Sequence, residues 1–314
     1  MYERDIRIIN RKVVFAGGGT GGHLWPLVSI IRYARTKYAV KPIYFGTGSS
    51  LERRIWRQEG VRQVYIPSGK RRNYYSWHNL FDWFWIVVGT VKAWFWLAII
   101  RPAVVFGKGG YGMLPTVYAA KLLGIPVICH ESDIVMGRAN RFALNRRALL
   151  LTAFPPEFYE TSEQQKGFIR YVGMPIHPSN YQTVEVAGEG ERKAVITSQL
   201  FALGKRNIRA DILIFGGSQG SMRINEAVAR IWPQLAEIGH IIHVTGQVGY
   251  NATWQMHAKL DDDIRKRIKI LAEADDLPKY IINSSLVISR AGATSLWEIA
   301  TARVPAIIIP LPEA

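Results

Sequence analysis

Apolar residues in this chain fall into short, dense runs separated by stretches with helical spacing. Val13–Ala16, Lys41–Phe45, Arg62–Ile66, Ala103–Phe106 and Val127–Cys129 are rich in β-branched and aromatic residues and read as strands. Leu24–Lys37, Ser50–Glu59 and Leu114–Leu123 carry helical spacing between them, and Ser49 or Ser50 is placed to cap the second, with Glu52 in its first turn. Strand and helix in alternation predict a mainly parallel sheet with helices on both faces. The pattern then fades: residues 160–210 are polar and weakly periodic, and Gly173-Met174-Pro175-Ile176-His177-Pro178 reads as a stiff connection. A boundary near 170–180 divides the chain into domains 1–172 and 173–314. The pattern restarts with strands at Asp211–Phe215, His240–Thr245, Arg267–Leu271, Leu286–Ser289 and Ala306–Ile309, and a helix over Met222–Leu235. The fold class expected is α/β, with two Rossmann-like, doubly wound domains facing a cleft. The chain ends at L-P-E-A directly after an apolar strand, so the second domain is expected to be incomplete.

Each half has a glycine loop between its first strand and first helix. The first, G-G-G-T-G-G from Gly17 to Gly22, has five glycines in six positions and leads into His23. Strand, glycine loop and helix present backbone N–H groups and a positive helix end to an anion. The second loop is Gly216-Gly217-Ser218-Gln219-Gly220-Ser221, and a further glycine turn opens a helix in S-R-A-G-A-T-S-L-W-E-I-A. His23 has the ordinary pKa of a base near neutrality. A loop cap and an acceptor-phosphate contact are its other readings. Glu131 is a second catalytic candidate, with orientation of a sugar or of a neighbouring loop as its alternative.

Residues 69–101 depart from the pattern. From Phe81 to Ile100 only Asp82 and Lys92 are charged, about the length that crosses a bilayer. Three readings stand side by side: a spanning helix, a fully buried core helix, and an interfacial helix. Five tryptophans in the segment, and Lys70, Arg71 and Arg72 ahead of it, suit the last reading and an anionic membrane surface.

Composition adds less. The 314 residues are 48% hydrophobic and 20% charged, as in a globular protein, and the net charge of +16 calls for an anionic partner. The single cysteine, Cys129, excludes an internal disulfide, fits a reducing cytosol and lies in a strand pattern. The N-terminus lacks the apolar core of a signal peptide. Gly17, Gly19 and Gly22 fit a dinucleotide fingerprint, but the next strand ends Tyr44-Phe45-Gly46-Thr47 without the acidic residue that fingerprint needs. Basic residues are dispersed and no nucleic-acid recognition motif is present, so no nucleic-acid partner is expected. Asp261-Asp262-Asp263 is a candidate ligand run but reads as the start of a charged helix, and neither a metal nor a cofactor is expected.

A-G-G-G-T-G-G-H-L-W-P resembles the N-terminal loop of the MurG family of peptidoglycan glycosyltransferases. F-G-T-G-S-S-L-E, F-G-K-G-G-Y-G, G-I-P-V-I-C-H-E-S-D, Y-V-G-M-P-I, I-F-G-G-S-Q-G-S-M-R-I-N and S-R-A-G-A-T-S-L-W-E-I-A follow in the family's order. The resemblance implies the GT-B fold and inverting transfer of N-acetylglucosamine from UDP-GlcNAc to the MurNAc C4 hydroxyl of undecaprenyl-pyrophosphoryl-MurNAc-pentapeptide. It also implies peripheral attachment at the cytoplasmic face of the cell membrane. By resemblance, Glu298 bonds the ribose, Ala293, Thr294 and Ser295 form the helix end at the diphosphate, Ser218 and Gln219 lie near phosphates and sugar, and Ala274 lines uracil. Thr20, Gly21, Gly22 and His23 match the loop on the acceptor side. Two departures stand out. Ser132 and Asp133 replace a Gln-Asn pair, leaving Asp133 as a sugar contact without the amide's donor. His177 replaces an arginine on the diphosphate, putting a titratable cation where the family has a fixed one. The family's paired glutamines after the last strand are not in the chain. A GT-B transferase acting on another membrane lipid, of the diacylglycerol type, is the nearest alternative.

Overall fold

The computed structural model describes residues 9–18, 21–69, 78–176, 210–217, 220–274 and 276–310, without the side chains of 21, 78–82, 210 and 211. The chain divides into two compact units, Met1–Pro175 and Ile176–Ala314.

The first unit is a seven-stranded parallel sheet in the order β3-β2-β1-β4-β5-β6-β7. Its strands are β1 (Lys12–Ala16), β2 (Lys41–Gly46), β3 (Arg62–Tyr65), β4 (Val104–Gly107), β5 (Val127–Glu131), β6 (Leu149–Thr152) and β7 (Ile169–Tyr171). The helices are α1 (Gly21–Tyr38), α2 (Ser50–Gln58), α3 (His78–Ile100), α4 (Leu114–Leu122), α5 (Arg138–Asn145) and the short α6 (Glu163–Lys166). Alternate residues of β1 enter opposite cores, as the pleat requires. Val13 and Phe15 pack with Leu24, Leu27 and Trp56 from α1 and α2, while Val14 and Ala16 pack with Ala93, Leu97 and Val117 from α3 and α4. Ser49 caps α2: its Oγ accepts from Glu52 N at 3.2 Å, while the Glu52 carboxylate closes the capping box.

The second unit has five parallel strands in the order β10-β9-β8-β11-β12. They are β8 (Ala210–Phe215), β9 (Gly239–Val244), β10 (Ile268–Leu271), β11 (Leu286–Arg290) and β12 (Ala306–Ile309). Its helices are α7 (Met222–Ala229), α8 (Trp232–Ile238), α9 (Gln247–His257), α10 (Asp262–Arg265), α11 (Leu277–Ile282) and α12 (Ala293–Ala302). The single helix expected over Met222–Leu235 is therefore two. Pro233, with no N–H to donate, cannot continue α7 and sits in the first turn of α8 instead. Asp261 occupies the cap position of α10, and Asp262 pairs with Arg265 at 2.5 Å.

α3 settles one of the three readings of the aromatic segment. Ile86, Gly89, Ala93, Leu97 and Ile100 are buried along one stripe, yet only 28% of the window Trp83–Ile100 is buried. Trp83, Phe84, Trp85, Val91, Trp94 and Phe95 are exposed on the rest of the helix, so it is not a fully buried core helix. It is long and apolar enough to cross a membrane by length and composition. Its buried stripe, however, docks on the sheet as the crossover from β3 to β4.

Candidate active site

In the first unit the candidate chemistry gathers where β1, β4 and β5 end. Lys108 N donates to Ala16 O at 2.9 Å, tying the exit of β4 to that of β1. Side chains back the start of the glycine loop. Tyr44 Oη donates to Gly17 O at 2.9 Å. The fully buried Glu52 carboxylate accepts from Gly48 N at 2.7 Å and from Thr47 Oγ1 at 3.0 Å. Gly18 has φ +134°, and a Cβ there would collide with this carboxylate, so the position admits glycine alone.

Gly21 and Gly22 open α1, and His23 follows in its first turn. The imidazole lies against Gly109 and Gly110, whose φ values are +88° and +76°. A Cβ on either would stand 3.7 Å from His23 Cε1 or 3.4 Å from Cδ2. Among the described residues the ring's buried Nδ1 has no hydrogen-bond partner. Burial first, and the Lys108 charge second, hold the His23 pKa below its ordinary 6.5, against an upward pull from Glu131. The ring is therefore neutral at neutral pH, the form a general base needs.

Glu131, at the end of β5, is buried and fully occupied. Its Oε1 accepts from Ser132 N at 2.9 Å and Asp133 N at 3.0 Å. Its Oε2 accepts from Gly137 N at 2.7 Å and Asn140 Nδ2 at 2.9 Å. With both oxygens engaged by four donors that fix the following turn, this geometry fits the loop-orienting alternative. Asp133 is exposed, and its carbonyl accepts from Tyr159 Oη at 3.0 Å. Beside Glu131, His130 is held neutral: burial takes its pKa down to about 3, and its Nε2 donates to Gly173 O at 2.9 Å.

Lys108 was not singled out from the sequence. It is 1% exposed, and its Nζ donates to Ser132 Oγ. Burial lowers its pKa to about 8, opposed by Glu131 and Asp133. The available signal was the lysine inside F-G-K-G-G, directly after an apolar strand. Thr20, His177, Ser218 and Gln219 lie outside the described residues.

The second unit repeats the layout at the ends of β8 and β11, which pair in the sheet. Ser221 closes the second glycine loop and caps α7, its Oγ accepting from Ile224 N at 3.4 Å. Arg290, in S-R-A-G, donates from Nη2 to Ser221 Oγ and from Nη1 to Pro310 O, both at 2.9 Å. Ala293, Thr294 and Ser295 form the first turn of α12, and no side chain among the described residues caps this helix. Its first-turn N–H groups are thus open to an anion. Glu298 lies one turn further along, 8% exposed, and burial raises its pKa to about 7. Ala274 lines a cavity of about 540 Å³ with Ile242, Leu271 and Tyr280, and Glu298 is not on its wall.

The comparisons follow this geometry. The family model described as Glycosyltransferase family 28 N-terminal domain matches residues 13–150, and that of the C-terminal domain matches residues 211–314. A Clostridium kluyveri protein named UDP-N-acetylglucosamine--N-acetylmuramyl-(pentapeptide) pyrophosphoryl-undecaprenol N-acetylglucosamine transferase is 31% identical over 306 residues, covering 96% of this chain and 79% of that protein. A Treponema pallidum protein of the same name is 31% identical over 303 residues, covering 95% and 75%. The chain belongs to the MurG family. The crystal structure of MurG from Acinetobacter baumannii matches with a TM-score of 0.64 at 26% identity, covering 97% of this chain and 79% of that one. Both units are accordingly the Rossmann-like halves of a GT-B glycosyltransferase. The glycosyltransferase family 28 matches take in β1 and its glycine loop in one half, and β8, β11 and α12 in the other.

Proposed function

We propose that this chain transfers N-acetylglucosamine from UDP-GlcNAc to the MurNAc C4 hydroxyl of undecaprenyl-pyrophosphoryl-MurNAc-pentapeptide, with inversion at the sugar's C1. The observation that carries the reading is the match, over nearly the whole chain, to relatives bearing that activity's name. The geometry supplies the chemistry. The acceptor oxygen attacks C1 as its proton passes to the neutral His23 imidazole, and the bond from C1 to the UDP oxygen breaks. UDP leaves with increased negative charge. The uncapped first turn of α12, at Ala293, Thr294 and Ser295, supports a site for that charge, and fixed backbone dipoles suit the task. Glu298 accepts from the ribose hydroxyls, and the cavity beside Ala274 takes the uracil. Thr20, Gly21 and Gly22 border the acceptor, and Ser218 and Gln219 the donor's phosphates and sugar. Glu131 acts as a positioning residue, fixing the turn that presents Asp133 to the sugar. His177 contributes a cation to the diphosphate. We place the enzyme peripherally at the cytoplasmic face of the cell membrane, with α3 toward an anionic lipid surface.

The test is incubation with UDP-GlcNAc and a lipid I analogue, with the disaccharide lipid as readout. His23→Ala should lower turnover by about 10²–10⁴-fold while leaving UDP-GlcNAc affinity nearly unchanged. Product from diacylglycerol but not from the lipid I analogue overturns the acceptor assignment.

A further inference from the structure

Tyr44 puts a hydroxyl at a position of β2 that faces the core. It is 1% exposed and belongs to the cluster that β1 builds with α1 and α2, together with Phe15, Leu24 and Trp56. Burying a hydroxyl is costly unless it is hydrogen-bonded, and phenylalanine would bring the same ring without that cost. The hydroxyl is bonded to the glycine loop: Tyr44 Oη donates to Gly17 O at 2.9 Å, across 27 residues of chain.

Both ends of that bond are fixed by packing. The Tyr44 ring lies on Trp56 with centroids 4.5 Å apart. The backbone of Gly46 presses on the same ring, so that a Cβ there would stand 2.2 Å from Tyr44 Cε1. On the other side, the turn after β4 closes on the carbonyl, and a Cβ on Gly112 would come within 2.7 Å of Gly17 O. In a planar trans peptide the N–H points opposite to the carbonyl. Holding Gly17 O against the core therefore sets the direction of the Gly18 N–H, away from that core. The three donors that bond the neighbouring Glu52 carboxylate, Thr47 Oγ1, Gly48 N and Ser49 N, all come from the turn before α2 and not from the glycine loop. Tyr44 is thus the side chain that grips the loop's own peptide.

We propose that Tyr44 is a positioning residue for acceptor binding, its hydroxyl turning the Gly17–Gly18 peptide so that the Gly18 N–H meets the acceptor's pyrophosphate. The inference rests on the reading that the first glycine loop borders a pyrophosphate-linked acceptor, and it adds what orients that loop beforehand. A donor fixed in direction before the ligand arrives costs no ordering when the anion binds.

The experiment compares the unaltered protein with Y44F, which keeps the ring and loses the hydroxyl, and with I55V, which trims a methyl from the same core and keeps the hydroxyl. Inorganic pyrophosphate is titrated calorimetrically with UDP saturating, so that the donor site is filled. Y44F should bind pyrophosphate about tenfold more weakly, and its KM for a lipid I analogue should rise by a similar factor while its KM for UDP-GlcNAc stays near that of the unaltered protein. I55V should match the unaltered protein in all three. Unchanged pyrophosphate affinity in Y44F overturns the inference, as does an unaltered protein that binds no pyrophosphate under UDP. So does an equal loss in I55V or a matching rise in the UDP-GlcNAc KM, either of which would trace the effect to general loosening. Failure of the underlying reading looks different: an unaltered protein that makes no product from the lipid I analogue removes that acceptor, while the pyrophosphate titration still decides the role of Tyr44.

Discussion

Glu298 is a carboxyl held in apolar surroundings, on a helix whose open first turn suits a phosphate. With its pKa raised to about 7 by burial, it is part protonated at neutral pH. In the proposed ribose contact the carboxylate accepts charge-assisted bonds that the neutral acid does not offer, each contributing about 1.5–3 kcal/mol. UDP affinity should therefore weaken as pH falls through 7, by about tenfold per bond lost, and calorimetric titrations of UDP between pH 6 and 8 should record it. E298Q should bind weakly and with little pH dependence. For the ligand-free protein the sign is opposite. The folded-state pKa lies above the unfolded value of 4.5, so this group's contribution to stability is present below pH 4.5 and lost as pH rises through 7. As candidates, His23 and Glu298 stand out in the sequence, because each sits in a motif beside a glycine turn. Lys108 and Arg290 were not legible, since their partners Ser132 and Ser221 lie 24 and 69 residues away and come near only through strand order. Glu131 was legible as a carboxylate at a strand end. Its four donors come from a turn and a helix that no local pattern announces.

Among the elements, α3 owes its seat to a glycine. Gly89 lies in the buried stripe, and a Cβ there would run into the carbonyl oxygen of Pro67 and stand 3.1 Å from the Pro115 ring. In an exposed helix, alanine for glycine stabilises by about 1 kcal/mol. Here the clash should reverse the sign, costing about 1–3 kcal/mol, and thermal denaturation of G89A should show a lower Tm. A Tm that rises would mean that α3 is not seated this way. The strands and helices of both sheets were legible where a strand's apolar run meets glycine, as at β1 and β8. The edge strand β7 was not, because it is three residues long with two exposed, too short for a period to register. The aromatic segment could not be resolved from sequence at all. Its apolar residues continue around the helix, so periodicity does not distinguish the docked stripe from the exposed face.

At the scale of the whole molecule, a net charge of +16 and an exposed aromatic helix act together. On the proposed attachment, charge would draw the protein to an anionic bilayer over a Debye length, and Trp83, Trp85 and Trp94 would then have apolar surface to bury at the headgroup level. Flotation with vesicles containing phosphatidylglycerol should succeed at low salt and weaken at high salt, and replacing those three tryptophans by serine should abolish it. Flotation that survives a carbonate wash would instead mean a spanning helix. The two sheets also share a plan. Numbered from its own first strand, the second has the order 3-2-1-4-5, the same order as the first five strands of the first. Position by position, Lys108 after β4 has its counterpart in Arg290 at the end of β11, and each is pinned to a serine hydroxyl. The two halves are thus topological repeats in which the neighbour across the switch point supplies one cation behind each glycine loop. Exchanging the first loop for a foreign one would leave Lys108 on Ser132, whereas exchanging the second would take away Ser221, the hydroxyl that holds Arg290.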